Sequence, residues 1–199
     1  MYQQQVLQVT NIIQTKDWDL DLGVNFTKLT NKVKSLADGV ESIMLGGFVE
    51  PQVRAQAGYT YPNIYGIAFK RDEQGRLLLK DGLPQGTSDS QNLGECTPDF
   101  NMGFNLKARW KRLSLSATLD WQKGGKMYNG TIMTMNMFGA TKESLPYHEG
   151  TMVVDGIDEA TGQPNKIEVS KQSYWYAYHD VTESGIYDRS YVKLRDVTL

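Results

Sequence analysis

Two stretches of this chain alternate strictly between apolar and polar positions, and almost nothing separates them. Over Phe100–Trp110 the even positions are Phe100, Met102, Phe104, Leu106, Ala108 and Trp110, and the odd ones are Asn101, Gly103, Asn105, Lys107 and Arg109. After Lys111 and Arg112 the phase inverts: Leu113, Leu115, Ala117, Leu119 and Trp121 are apolar, with Ser114, Ser116, Thr118 and Asp120 between them. A period of two over this length describes a β-strand with one oily and one wet face, and about nine to eleven residues is what a tilted strand needs to cross a bilayer. A third run has the same form, with Trp18, Leu20, Leu22, Val24 and Phe26 on one side and Asp19, Asp21, Gly23, Asn25 and Thr27 on the other. Helical periodicity is not evident over more than two turns anywhere.

Strands are therefore expected near residues 6–14, 17–29, 100–110, 113–122 and 187–199, the first and last with weaker alternation. The connections carry as much information. Very short turns, at 15–17 and 111–112, alternate with very long segments, 30–99 and 123–186. Short, long, short, long is the pattern of bacterial outer-membrane barrels, whose tight turns face the periplasm and whose long loops face outward. Loops of that length are uncommon in a compact domain unless they are functional. Each contains the signature of a small hairpin, one over 67–79 turning at Asp72, Glu73, Gln74 and Gly75, the other over 152–169 turning at Glu159, Ala160, Thr161 and Gly162. The fold class expected is all-β: antiparallel strands of a partial transmembrane β-barrel, with long extracellular loops holding small hairpins. Its rival is a soluble two-sheet sandwich binding carbohydrate at its loops, whose strands also alternate but whose oily faces meet.

On the barrel reading, Trp18 and Trp110 fall at the inner membrane interface and Trp121 at the outer one, where indoles sit well. Asn105, Lys107, Arg109, Ser116, Thr118 and Asp120 then line the lumen. Gly124 and Gly125 fit a turn with positive φ as the strand leaves the membrane. The densest aromatic cluster, Tyr174, Trp175, Tyr176 and Tyr178, falls in the second long loop. Such rings stack on sugars, anchor protein partners, or pack a loop against the barrel rim.

Composition adds mostly exclusions. The chain has 199 residues, 40% of them hydrophobic, and a formal charge of −2, which gives no reason to expect nucleic acid as a partner. One cysteine, Cys96, rules out an internal disulfide framework. No apolar run is long enough for a helical span, and the start, MYQQQVLQVTNIIQ, does not read as a secretory signal. The histidines His148 and His179 lack metal-ligand spacing. The acidic groups at Asp72 and Glu73, and at Asp155, Asp158 and Glu159, fit hairpin turns better than a calcium loop. No catalytic residue, metal or cofactor is expected: Ser114 and Ser116 lie on a strand without a nucleophile elbow, and no paired carboxylates stand out.

Particular words of the sequence point to a family. Tyr61, Pro62, Asn63, Ile64, Tyr65 and Gly66, followed by Phe69, Arg71, Asp72 and Gly75, resemble a segment of the SusC/RagA TonB-dependent outer-membrane transporters. So do Gly94, Thr97, Pro98, Asp99 and Gly103, then Lys123, Gly124, Gly125, Met127, Tyr128 and Asn129, and finally Tyr191, Val192, Lys193, Leu194, Arg195 and Asp196. Asn31, Lys32, Val33 and Leu36 also fit, and all occur in the family's order. The resemblance implies part of the C-terminal half of a barrel of about 22 strands with a plugged lumen. It implies import of a glycan or peptide across the outer membrane of a Gram-negative, Bacteroidetes-like bacterium. Implied partners are a SusD-like surface lipoprotein acting as lid, outer-membrane lipid, and TonB, engaged through parts of the family's proteins that have no counterpart in these residues.

Overall fold

The computed structural model describes residues 2–47, 49–145 and 149–199, with only the backbone described over 2–11. β1 (Tyr2–Gln14) and β2 (Trp18–Leu29) pair antiparallel across a turn closed by Thr15, whose amide donates to Trp18 O at 2.8 Å while its hydroxyl accepts the Trp18 N–H at 3.0 Å. The chain then leaves the sheet through β3 (Ser42–Gly47), β4 (Gln52–Gln56), β5 (Asn63–Gly66), β6 (Leu78–Lys80), β7 (Leu83–Pro84) and β8 (Gln91–Glu95). It returns as β9 (Phe100–Trp110) and β10 (Leu113–Lys123). A second excursion runs through β11 (Lys126–Tyr128), α1 (Gly130–Met137), β12 (Thr151–Val153), β13 (Ile157–Asp158), β14 (Glu168–Ser170), α2 (Lys171–His179), a 3-10 turn at Thr182–Gly185 and β15 (Ile186–Asp188), before β16 (Tyr191–Thr198).

The long strands form one five-stranded sheet in the order β1-β2-β9-β10-β16, every neighbouring pair antiparallel. With the two excursions set aside, this is an up-and-down meander, open at β1 and β16. Register puts both tight turns at one end, because Trp18 faces Trp110 and Trp110 faces Leu113. The two turns also touch, Lys111 N–H donating to Asp17 O at 2.7 Å. Both insertions leave from the opposite end.

Among the described residues, the buried apolar core lies entirely in the insertions: Ala55, Ile64, Tyr65, Phe69, Leu79, Met133, Val154, Ile157, Trp175 and Val181. Both hairpins occur there. Gly75 N–H closes on Asp72 O at 3.0 Å, and Met152 pairs with Val169 around an inner turn in which Asp158 N–H donates to Gln163 O at 2.9 Å.

Three expectations need correction. The insertions hold more than hairpins, since β3, β4, β5 and β8 form a sheet of their own. Two helices, α1 and α2, stand where helical periodicity was not evident; α2 carries aromatic residues around its circumference, so no oily stripe announces it. The strand expected over 187–199 is two elements. Arg189 breaks it, donating its N–H to Gly125 O at 3.0 Å and a guanidinium N–H to Cys96 O at 2.8 Å, so that β15 pairs with β11 instead of the main sheet. Where the chain leaves β10, Gly124 and Gly125 have φ of 76° and 80°, and a Cβ on Gly125 would sit 2.8 Å from Cys96 O.

Candidate functional site

The two faces of the main sheet differ in kind. Cross-strand register lines up the apolar residues in rows: Leu20, Ala108 and Leu115; Leu22, Leu106, Ala117 and Val197; Val24, Phe104, Leu119 and Leu194; Phe26, Met102, Trp121 and Val192. Among the described residues, no apolar side chain of β2, β9, β10 or β16 is buried. Leu113 is 51% exposed and Leu194 is 63% exposed. Phe104, Leu106, Leu115 and Leu119 remain partly exposed, so the sandwich alternative, which needs a second sheet against them, is not what the structure has.

Aromatic rings gather at both ends of this face. At the tight-turn end Trp18 and Trp110 lie 5.9 Å apart. At the other end Phe26 lies 5.7 Å from Phe100, which meets Trp121 edge-on at 4.9 Å. The eight-residue step from Trp18 to Phe26 covers about 27 Å along a strand, or about 20 Å across a bilayer at a tilt near 40°. That approaches the roughly 25 Å apolar band of an outer-membrane barrel.

The opposite face carries Asn105, Lys107, Arg109, Ser116, Thr118 and Asp120 together, beside a recess of about 440 Å³ bordered by Asp19, Asp21, Lys107, Arg109, Ser114 and Ser116. Its polar groups are tied across strands. Arg109 meets Asp19 at 3.4 Å, and Thr118 donates to Asn105 Oδ1 at 3.3 Å. Asp120 Oδ2 accepts the Tyr191 hydroxyl at 2.9 Å and Arg195 Nη2 at 2.5 Å. A bulge makes the last pair possible: Thr118 faces Asp196 but Leu119 faces Leu194, so Arg195 is the extra residue and its side chain is re-aimed toward Asp120. That bulge also explains the irregular alternation of the last strand in sequence.

The aromatic cluster sits on α2. Ser170 starts this helix, its hydroxyl accepting the Ser173 N–H at 3.0 Å. Tyr174, Trp175 and Tyr178 pack on one another with ring centroids 5.2 to 5.6 Å apart, and Tyr178 continues to Phe69 at 5.1 Å. Trp175 is only 8% exposed. Burial raises the Tyr178 hydroxyl above its ordinary value, as do the neighbouring Tyr187 and Glu183. Tyr176 points elsewhere: 43% exposed, it borders a shallow groove with Gln172, Ser173, Ala177, Asp180 and Leu83.

The remaining candidates have local duties. Asp72 Oδ1 accepts the N–H groups of Gln74 and Arg76, Asp158 Oδ1 accepts those of Ala160 and Thr161, and Glu159 pairs with Lys70. His179 Nδ1 lies 3.6 Å from Asp180 Oδ1, while His148 and Tyr147 fall outside the described residues. Three residues that carry the joint between the insertions, Glu50, Arg71 and Glu183, have no signature in one dimension, since Arg71 and Glu183 are 112 positions apart.

No family model matches the chain. It is 23% identical to TonB-dependent receptor P3 of Formosa agariphila over 210 residues, a match that takes in 94% of this chain and 20% of that protein. Among solved structures it resembles the RagAB peptide importer in its open-open state, with a TM-score of 0.61, 19% identity, and coverage of 98% of this chain and 21% of that one. It also resembles the RagAB peptide transporter, with a TM-score of 0.57, 20% identity and the same coverages. The chain thus spans about a fifth of the length of these relatives. Its fold is that of a stretch of TonB-dependent transporter barrel, and the likeness to SusC/RagA transporters covers nearly all of it.

Proposed function

We propose that this chain forms part of the wall and cap of an outer-membrane TonB-dependent importer of the SusC/RagA kind, taking up a peptide or glycan in a Gram-negative bacterium. The observation that supports it most is the uncovered apolar face of β2, β9, β10 and β16, bounded by rings at both ends, on a sheet whose other face is polar and cross-linked. Water on both sides would leave that face with no partner; lipid on one side and a wet lumen on the other satisfy both. In this reading Trp18, Trp110 and Trp121 sit at the membrane interfaces, and Asn105, Lys107, Arg109, Ser116, Thr118 and Asp120 line the lumen. The work is transport and no bond is made or broken.

The insertions stand on the outer side. Tyr176 offers an exposed ring beside the Gln172 amide, the Ser173 hydroxyl and the Asp180 carboxylate, a set suited to a solute or to a SusD-like surface lipoprotein, while Tyr174, Trp175 and Tyr178 hold the helix in place. Energy would arrive from TonB through other parts of the transporter. The test is uptake of labelled peptide and oligosaccharide by cells carrying Tyr176→Ala in the whole protein, with co-purification of the lipoprotein measured in parallel. Loss of either, with normal assembly, supports the assignment. Wild-type uptake and wild-type pairing together would remove Tyr176 from the site.

A further inference from the structure

The two insertions are far apart in sequence, yet the segment 66–71 of the first is stitched to the segment 181–185 of the second by groups that leave little play. Glu50 Oε2 accepts the Ile67 N–H at 2.7 Å and the Thr182 hydroxyl at 2.8 Å. Glu183 N–H donates to Ile67 O at 3.0 Å. The Glu183 carboxylate takes the Phe69 N–H at 2.7 Å and both arms of the Arg71 guanidinium, at 2.9 and 2.6 Å. Fork-to-fork pairing of this kind fixes orientation as well as distance. Gly66 lies so close beneath Thr182 that a Cβ there would be 2.5 Å from its methyl group.

A second seam lies beside the first. β13 adds to β6 in parallel, Ile157 N–H donating to Leu77 O at 2.8 Å and Glu159 N–H to Leu79 O at 2.9 Å, over a Leu79 side chain that is 1% exposed. Lys70 and Glu159 close its rim as an ion pair.

We infer that the two insertions move as one rigid cap, locked by Glu183 on Arg71 and Phe69, and that Arg71 and Glu183 are positioning residues for α2. Phe69 carries the link: its amide is held by Glu183 and its ring packs on Tyr178, whose helix presents Tyr176. Opening above the sheet then involves both insertions together, turning where they join β2, β9, β10 and β16. Neither folds back alone. The inference stands on this geometry and holds whichever solute passes.

The test is amide hydrogen exchange on the whole membrane-inserted protein, comparing wild type with Glu183→Ala, Glu183→Gln and Arg71→Met. In Glu183→Ala, exchange should rise tenfold or more in residues 67–79 and in α2 by a common factor, while β9 and β10 keep their protection. Glu183→Gln keeps an acceptor for Phe69 and should show a smaller, still matched rise. If Glu183→Ala fails to assemble, Arg71→Met, which leaves that acceptor in place, should show the same matched rise. Acceleration in one insertion only, or in neither, overturns the single-cap inference. Matched acceleration beside an inert Tyr176→Ala would keep the cap and discard only the Tyr176 site.

Discussion

Trp18 and Trp110 face each other across β2 and β9, their rings 5.9 Å apart and tilted by 30°, on the side of the sheet that no second layer covers among the described residues. If that side meets lipid, these indoles lie at headgroup depth, where an amphipathic ring is most at ease. Variants that keep a single tryptophan should therefore show strong quenching of Trp18 or Trp110 by lipids brominated near the headgroup, and weaker quenching by lipids brominated near the chain end. Trp175, buried in the cap, should respond to neither. Equal quenching of Trp175 and Trp18 would contradict the placement.

Ala117 and Ser116 are neighbours with opposite surroundings. Ala117 shares a mid-strand row with Leu22 and Leu106, whereas Ser116 faces Lys107 on the polar side. A charge at the bilayer midplane costs about 2 to 4 kcal/mol on the lipid face of a barrel. Ala117→Arg should lower the stability of the assembled transporter by about that amount in reversible urea unfolding from lipid, and Ser116→Arg by less than about 1 kcal/mol. Similar costs at the two sites would argue against a lipid-facing side.

The main sheet was legible because one of its faces is apolar and the other polar, and such a difference imprints a period of two that no neighbour in sequence can blur. The turns were legible because Asp72 and Gly75, and Asp158 and Gly162, are the residue types that close them. The cap was not. Its helices span only eight and nine residues, and α2 packs Tyr174, Trp175 and Tyr178 together while Tyr176 points to the outside, so ring chemistry is spread around the axis. The Arg71–Glu183 lock depends on chain segments brought together by tertiary folding, and the bulge at Arg195 appears in sequence only as lost alternation.

Trp175 and Tyr176 should separate support from contact. Trp175→Ala removes a nearly buried ring from a packed cluster and should cost the cap about 3 to 5 kcal/mol, read as loss of protease resistance at α2. Tyr176→Ala should leave protease resistance unchanged while altering solute or lipoprotein affinity. The reverse pattern would assign the two rings the other way round.

Glu183 should make the cap sensitive to acid. Burial alone would raise its carboxyl, but the Arg71 hydrogen bonds, the Phe69 amide and the Arg71 charge together hold it below the ordinary value of 4.5. A depressed folded-state value means that the lock's contribution is fully present above that ordinary value and is lost as pH falls through the lower, folded one. Protease resistance of the cap should therefore be flat from neutrality down to the ordinary carboxyl value of 4.5 and be lost as pH falls through the lower folded value, and Glu183→Gln should flatten that fall. An unchanged acid profile in Glu183→Gln would show that another group sets it.

The central claim is that lipid touches the oily face of the sheet, and spin-label scanning of residues 113–122 in the membrane-inserted protein tests it most directly. The account predicts an oscillation of period two, with odd positions accessible to membrane-dissolved oxygen and even positions accessible to a water-soluble nickel chelate. Odd positions shielded from both reagents, or no alternation, would place protein against that face and contradict the account.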